Sequence, residues 1–263
     1  MAQRQVRRSV VDDVPVVWIE PDGPAKTLAL WLTHLAGSKD QTLPVLRRLA
    51  GAGCVAMSFD PWRHGERGEE GAEQIFERVF GDFRRQMWPI LGQTTLDGLR
   101  VLDWALAEIA PGARVVAGGV SMGGDVSVAL AGVDERVERV AALIATPDWT
   151  RPDMRDLHTG RPIEQGEPDA YARWFYDQLD PMTHVSRYRR ALAITFEVGG
   201  EDNHVPAEHA QRFRAAVLAQ PSTRATVRIN VHPGASHLDA TDDSPFVANA
   251  IDWLTAENEK TLT

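Results

Sequence analysis

Four glycines surround one serine in Ala117-Gly118-Gly119-Val120-Ser121-Met122-Gly123-Gly124-Asp125, between an apolar run and a helical run. Gly119 and Gly123 stand two residues to either side of Ser121, where a Cβ would collide with a neighbouring strand or helix in a sharp strand-to-helix turn. Such a turn holds one hydroxyl clear of the fold. A serine hydroxyl is a weak nucleophile and needs a general base, which in turn needs a group to orient it. Both follow in the order serine, acid, histidine: Asp202 in Glu201-Asp202-Asn203-His204-Val205-Pro206, and His237 in His232-Pro233-Gly234-Ala235-Ser236-His237. The N–H of Met122, at the start of the helix, points toward an oxyanion developing on a carbonyl under attack. The plainer role for the glycines is close packing or phosphate binding. Phosphate binding is a weak reading, because there is no G-x-x-x-x-G-K-S/T pattern and GGVSMGG does not fit a dinucleotide fingerprint.

Each of these residues must be carried by the end of a strand. TLALWLTH, CVAMSFD, ARVVAGGVS and VERVAALIAT are continuous apolar runs of the kind a strand buried on both faces requires, and ALAITFEVGG and TRATVRINVHP add two more. Ser121 ends the third run, Asp202 follows ALAITFEVGG, and His237 follows the last strand. QTLPVLRRLAGAG, MGGDVSVALAGV, AEHAQRFRAAVLA and DSPFVANAIDWLTAE read as helices between and after them. Two more helical patterns cover about 72–88 and about 93–110. Residues 3–19 read as a hairpin around Asp12-Asp13-Val14-Pro15. The alternation predicts an α/β fold: a mostly parallel sheet with helices on both faces, an N-terminal hairpin, and one domain over 1–263 with insertions at about 64–92 and 147–190.

The net charge of −9 over 263 residues argues against nucleic acid as a main partner. Arg4, Arg7 and Arg8 make only a short basic cluster. The first residues lack the apolar core of a secretory signal and no segment is long enough to span a bilayer, so the expectation is a cytoplasmic protein with no membrane partner. The single cysteine, Cys54, excludes an intrachain disulfide and reads as a buried core thiol.

Taken together, GVSMG, GGEDNHVP and GASH resemble the nucleophile elbow, acid loop and histidine loop of the α/β-hydrolase superfamily, over nearly the whole chain. The resemblance implies Ser121 as nucleophile, His237 as base and Asp202 as the residue that orients it, with Glu201 as the alternative acid. It also implies a second oxyanion donor in the loop THLAGSKD. There Thr33-His34 occupies the usual His-Gly position, and Leu35 supplies the N–H beside that of Met122. His34 reads as a buried, hydrogen-bonded loop histidine, His232 as structural, and His204 as a solvated or pocket residue. DPWRHGERG resembles a loop of the dienelactone-hydrolase-like and prolyl-oligopeptidase-like branch. On that resemblance Asp60, Arg63, His64 and Arg67 brace the site and Trp62 reaches the pocket.

Relatives of this kind often carry a helical lid where residues 147–190 stand. Trp149, Trp174, Phe175 and Tyr176 give that segment aromatic surface, and the helix DAYARWFYDQL is expected to lay part of it over Ser121. The expected function is hydrolysis of a carboxylic ester of a small apolar or aromatic substrate, through an acyl-enzyme and with no metal or organic cofactor. A thioesterase, an amide, peptide or carbon–carbon bond hydrolase, and a non-catalytic ligand-binding homologue remain alternatives, and a homodimer is left open. A dehalogenase would need a carboxylate where Ser121 stands, and a dienelactone hydrolase proper a cysteine.

Overall fold

A hairpin of β1 (Val6–Val11) and β2 (Val14–Ile19) begins the described chain, closed by Asp12 and Asp13 at φ 44° and 69°. Two central residues at positive φ make the turn whose twist suits adjacent strands. Val14 and Pro15 therefore belong to the second strand. The structure is a computed structural model and describes residues 4–256. After the hairpin come β3 (Thr27–Leu32), α1 (Leu43–Gly51), β4 (Cys54–Phe59), α2 (Ala72–Gly81), α3 (Phe83–Glu108), β5 (Arg114–Val120) and α4 (Met122–Val133). The remainder is β6 (Val137–Leu143), α5 (Ala170–Leu179), β7 (Ala193–Gly199), α6 (Ala207–Leu218), β8 (Thr226–His232) and α7 (Pro245–Thr255).

The eight strands form one sheet in the order β1-β2-β4-β3-β5-β6-β7-β8. The hairpin joins β4 antiparallel, and all pairings from β4 through β8 are parallel. Strand alternation divides the core between the two faces. In β3, Leu28, Leu30 and Leu32 join one cluster, with α3, α4 and α6, while Ala29 and Trp31 join the other, with α1 and α7. Because β5, β7 and β8 run the same way, Ser121, Asp202 and His237 all emerge at the carboxyl edge of the sheet, where open α/β folds build their sites. Cys54 is buried in β4.

Two expectations need correction. The helices of the first insertion divide at Asp82, and α3 runs unbroken through Pro89 and Gly92. Gly92 is there for packing: a Cβ would come within 2.6 Å of Cγ of Phe175. That contact also corrects the second expectation, because α5 packs along α3 and buries Phe175 there instead of lying over Ser121. No helix among the described residues is long and apolar enough to cross a membrane.

Candidate active site

Ser121 sits at φ 52° and ψ −117°, a conformation that costs a non-glycine residue of order 1–3 kcal/mol and persists only where its surroundings enforce it. The enforcement comes from close approach. A Cβ on Gly119 would lie 2.6 Å from the Leu32 carbonyl oxygen, and one on Gly123 would strike the backbone of Leu32 and Thr33. The glycines thus let α4 start against the end of β3. At the adjacent strand end Ile144, a β-branched residue, is also at positive φ (43°), and it lines the same cavity as Ser121.

The Ser121 hydroxyl lies 3.1 Å from Nε2 of His237, and Nδ1 of His237 lies 2.8 Å from Oδ2 of Asp202. The other carboxylate oxygen of Asp202 accepts the N–H groups of His204 (2.9 Å) and Val205 (2.8 Å). Those bonds orient the acid toward His237 and leave the neighbouring Glu201 exposed, its N–H spent on the Ala235 carbonyl. Ser236 accepts from the N–H of Leu238 and caps the short turn that carries His237. The Met122 N–H opens α4 and so has no intrahelical acceptor, and the Leu35 N–H has no backbone acceptor among the described residues. Leu35 lines the cavity, whereas the Met122 side chain lies in the core.

The loops behind this edge are held by ionic contacts. Asp60, fully buried, accepts the Lys39 N–H and ammonium (2.8 Å each) and the Glu66 N–H (3.0 Å), and Lys39 also pairs with Glu66. Arg67 pairs with buried Asp97 at 2.6 Å. His64 is buried, and desolvation holds it below the ordinary histidine value. Arg63 is more exposed, lies 3.7 Å from Glu70 and sits over the Trp62 ring, 5.6 Å from its centroid. His232 bonds Glu197 at 2.7 Å and stacks on Phe246. His34, expected inside, is exposed at the cavity rim with Nδ1 2.8 Å from the Leu35 carbonyl.

A cavity of about 610 Å³ opens over Ser121 and His237. None of Trp62, Trp149, Trp174 and Phe175 lines it. Trp149 is fully buried, with its carbonyl accepting from the Trp88 indole; Phe175 is packed on α3; Trp174 is half exposed; and the Trp62 N–H is bonded to Thr94. Besides Trp31, the apolar wall comes instead from Phe76, Phe80, Phe83 and Met87, on α2 and the start of α3. Their spacing of four, three and four residues is a helical stripe that was available in the sequence. Segment 147–190 adds Arg151 and Leu157 to the walls.

His204 lines the cavity with its ring 4.8 Å from that of His237 and 5.8 Å from Phe80. Burial, then the neighbouring His237 and Arg151, push it down to about 3, so it is neutral. Its Nδ1 lies 2.8 Å from the Arg155 carbonyl, which ties the acid loop to segment 147–190. Asp125, on α4, is wholly buried against Arg151, and desolvation pushes its carboxyl up to about 6 in spite of that cation.

Residues 81–259 match the model of the prolyl oligopeptidase family. A search among curated sequences finds no match. Among solved structures the chain is similar to TT1662 from Thermus thermophilus (22% identity, TM-score 0.73, covering 97% of this chain and 100% of that one). It is also similar to a Klebsiella pneumoniae protein provisionally named a dienelactone hydrolase (15%, 0.68, covering 97% and 100%). A third similarity is to acylaminoacyl peptidase of Pyrococcus horikoshii (14%, 0.69), where 98% of this chain covers 43% of a longer one.

Proposed function

Because this chain belongs to the prolyl oligopeptidase family, within the α/β-hydrolase fold, we propose that it is a serine hydrolase cleaving carboxylic esters of small apolar or aromatic substrates. The observation that carries the reading is the hydrogen-bonded chain Ser121–His237–Asp202 at the floor of an apolar cavity. Ser121 Oγ attacks the ester carbonyl carbon while His237 Nε2 takes its proton. The oxyanion so formed is stabilised by the Leu35 and Met122 N–H groups, fixed before the reaction by the β3 loop and the α4 terminus. Collapse expels the alcohol, which takes the proton from His237 and leaves an acyl-enzyme. His237 then removes a proton from water, whose oxygen attacks the acyl carbon; the acid departs and Ser121 recovers its proton. Every step uses groups of this chain, with no metal or organic cofactor.

Peptide or amide cleavage on the same residues is the second reading, favoured by the family itself. The test is intact-protein mass spectrometry after a fluorophosphonate probe, with peptide mapping, alongside turnover of paired ester and anilide substrates. The expected result is a single adduct on Ser121, absent from His237→Ala. Ester turnover should fall by about 10³-fold or more in Ser121→Ala. Unchanged turnover in Ser121→Ala would sink the proposal, and faster anilide than ester cleavage would favour the second reading.

A further inference from the structure

Arg151 is the anomaly in the cavity wall. Its side chain is 2% exposed, yet it lines the cavity together with Ser121, His204 and His237, among surroundings that are otherwise mainly apolar. Considerable structure holds it there. Its backbone is at φ 41°, its N–H donates to the Asp148 carbonyl, its own carbonyl accepts from Gln165, and the guanidinium lies over the Phe83 ring, 5.4 Å from the centroid. Behind it Asp125, fixed on α4 and also accepting the Thr146 N–H at 2.7 Å, takes an N–H from Nη2. A buried ion pair is seldom worth its desolvation cost to stability, and apolar side chains of similar volume commonly do as well. Burying this pair beside a reactive serine therefore calls for a reason in substrate recognition.

A guanidinium carries five N–H donors, and among the described residues the only side-chain bond Arg151 makes is the one to Asp125. Its Nε is buried without a partner. The charge, by contrast, is already balanced by the Asp125 carboxylate paired with it. The wall thus offers spare donors without net positive charge, while Asp242, also lining the cavity, and the net charge of −9 disfavour an anion. We infer that Arg151 is a specificity residue that donates a hydrogen bond to an uncharged acceptor oxygen of the substrate, so that the preferred acyl group carries a second carbonyl oxygen. This rests on the ester-hydrolase reading of Ser121.

The test compares three ethyl esters by pH-stat: valerate, levulinate and the half-ester of succinate. Levulinate adds a ketone to the valerate chain, and succinate replaces the levulinate methyl by a charged oxygen. The expected kcat/KM of the wild type on levulinate exceeds that on each of the others by about tenfold, the scale of one hydrogen bond to a charged donor. Arg151→Met combined with Asp125→Leu removes the pair without stranding a carboxylate, and should bring the levulinate-to-valerate ratio to about one. Equal rates on levulinate and valerate, a preference for succinate, or a ratio that survives in the double variant would overturn the inference. The wild-type ratios decide the matter even where the double variant does not fold. Turnover of valerate with Ser121 labelling separates that failure from failure of the underlying reading. Turnover of none of the three overturns the inference, and the absence of a Ser121 adduct then overturns the ester-hydrolase reading as well.

Discussion

Ser121, Asp202 and His237 could be picked out together because each follows a strand in the order that the α/β-hydrolase resemblance implies, and the spacing to Val205-Pro206 put Asp202 ahead of Glu201; which of the two carboxylates turns inward was not legible in the sequence. Two backbone N–H groups decide it by turning Asp202 inward. Asp202→Asn should therefore lower kcat by about 10²–10⁴-fold, by losing the carboxylate that orients and stabilises the histidine. Glu201→Gln should stay within about twofold; steady-state kinetics on one ester reads both, and comparable losses would contradict the assignment. Asp180 gives a stability prediction at the same scale. It is buried, accepts the N–H groups of Trp149 and Thr183, and is pushed up to about 7, chiefly by desolvation. A carboxyl whose folded value is raised contributes stability that is fully present below its ordinary value of 3.8 and is lost as pH rises through about 7. The deficit of Asp180→Asn relative to wild type should thus shrink between about pH 4 and pH 8 in denaturant titrations. A constant deficit would contradict the raised value.

At the level of elements, the strands could be read from apolar runs, whereas the partner of each helix could not. Trp174, Phe175 and Tyr176 mark α5 as a helix with aromatic faces, but amphipathicity does not say which neighbour covers them. Gly92 answers that, by letting the Phe175 ring against α3. With α5 so engaged, the Phe76–Phe80–Phe83–Met87 stripe faces the cavity. Phe80→Ala should enlarge the cavity and shift the acyl preference to longer or bulkier chains, read as the ratio of kcat/KM across an ester series; an unchanged profile would remove Phe80 from the wall. The elbow is less forgiving. Gly123→Ala drives a Cβ to 2.6 Å from the Thr33 carbonyl oxygen, and backbone cannot swing aside as a side chain does. A loss of about 2–4 kcal/mol in stability is expected, measured by denaturant midpoint, together with loss of Ser121 labelling.

Across the whole molecule the mostly parallel, helix-covered sheet was legible because alternating strands and helices admit few arrangements, whereas the order of the eight strands was not read from the sequence. What was not legible was which insertion roofs the site, since that depends on contacts between segments about 80 residues apart, such as Arg85 with Asp169. The strand order carries a consequence for the time course of synthesis. The three residues of the hydrogen-bonded chain arise at positions 121, 202 and 237, at the ends of β5, β7 and β8. Contacts so distant in sequence form late, because loop closure must precede them. The hydrogen-bonded chain therefore cannot be complete until β8 has paired with β7 and placed His237 between Ser121 and Asp202. The base is thus the last member of the hydrogen-bonded chain to be synthesised.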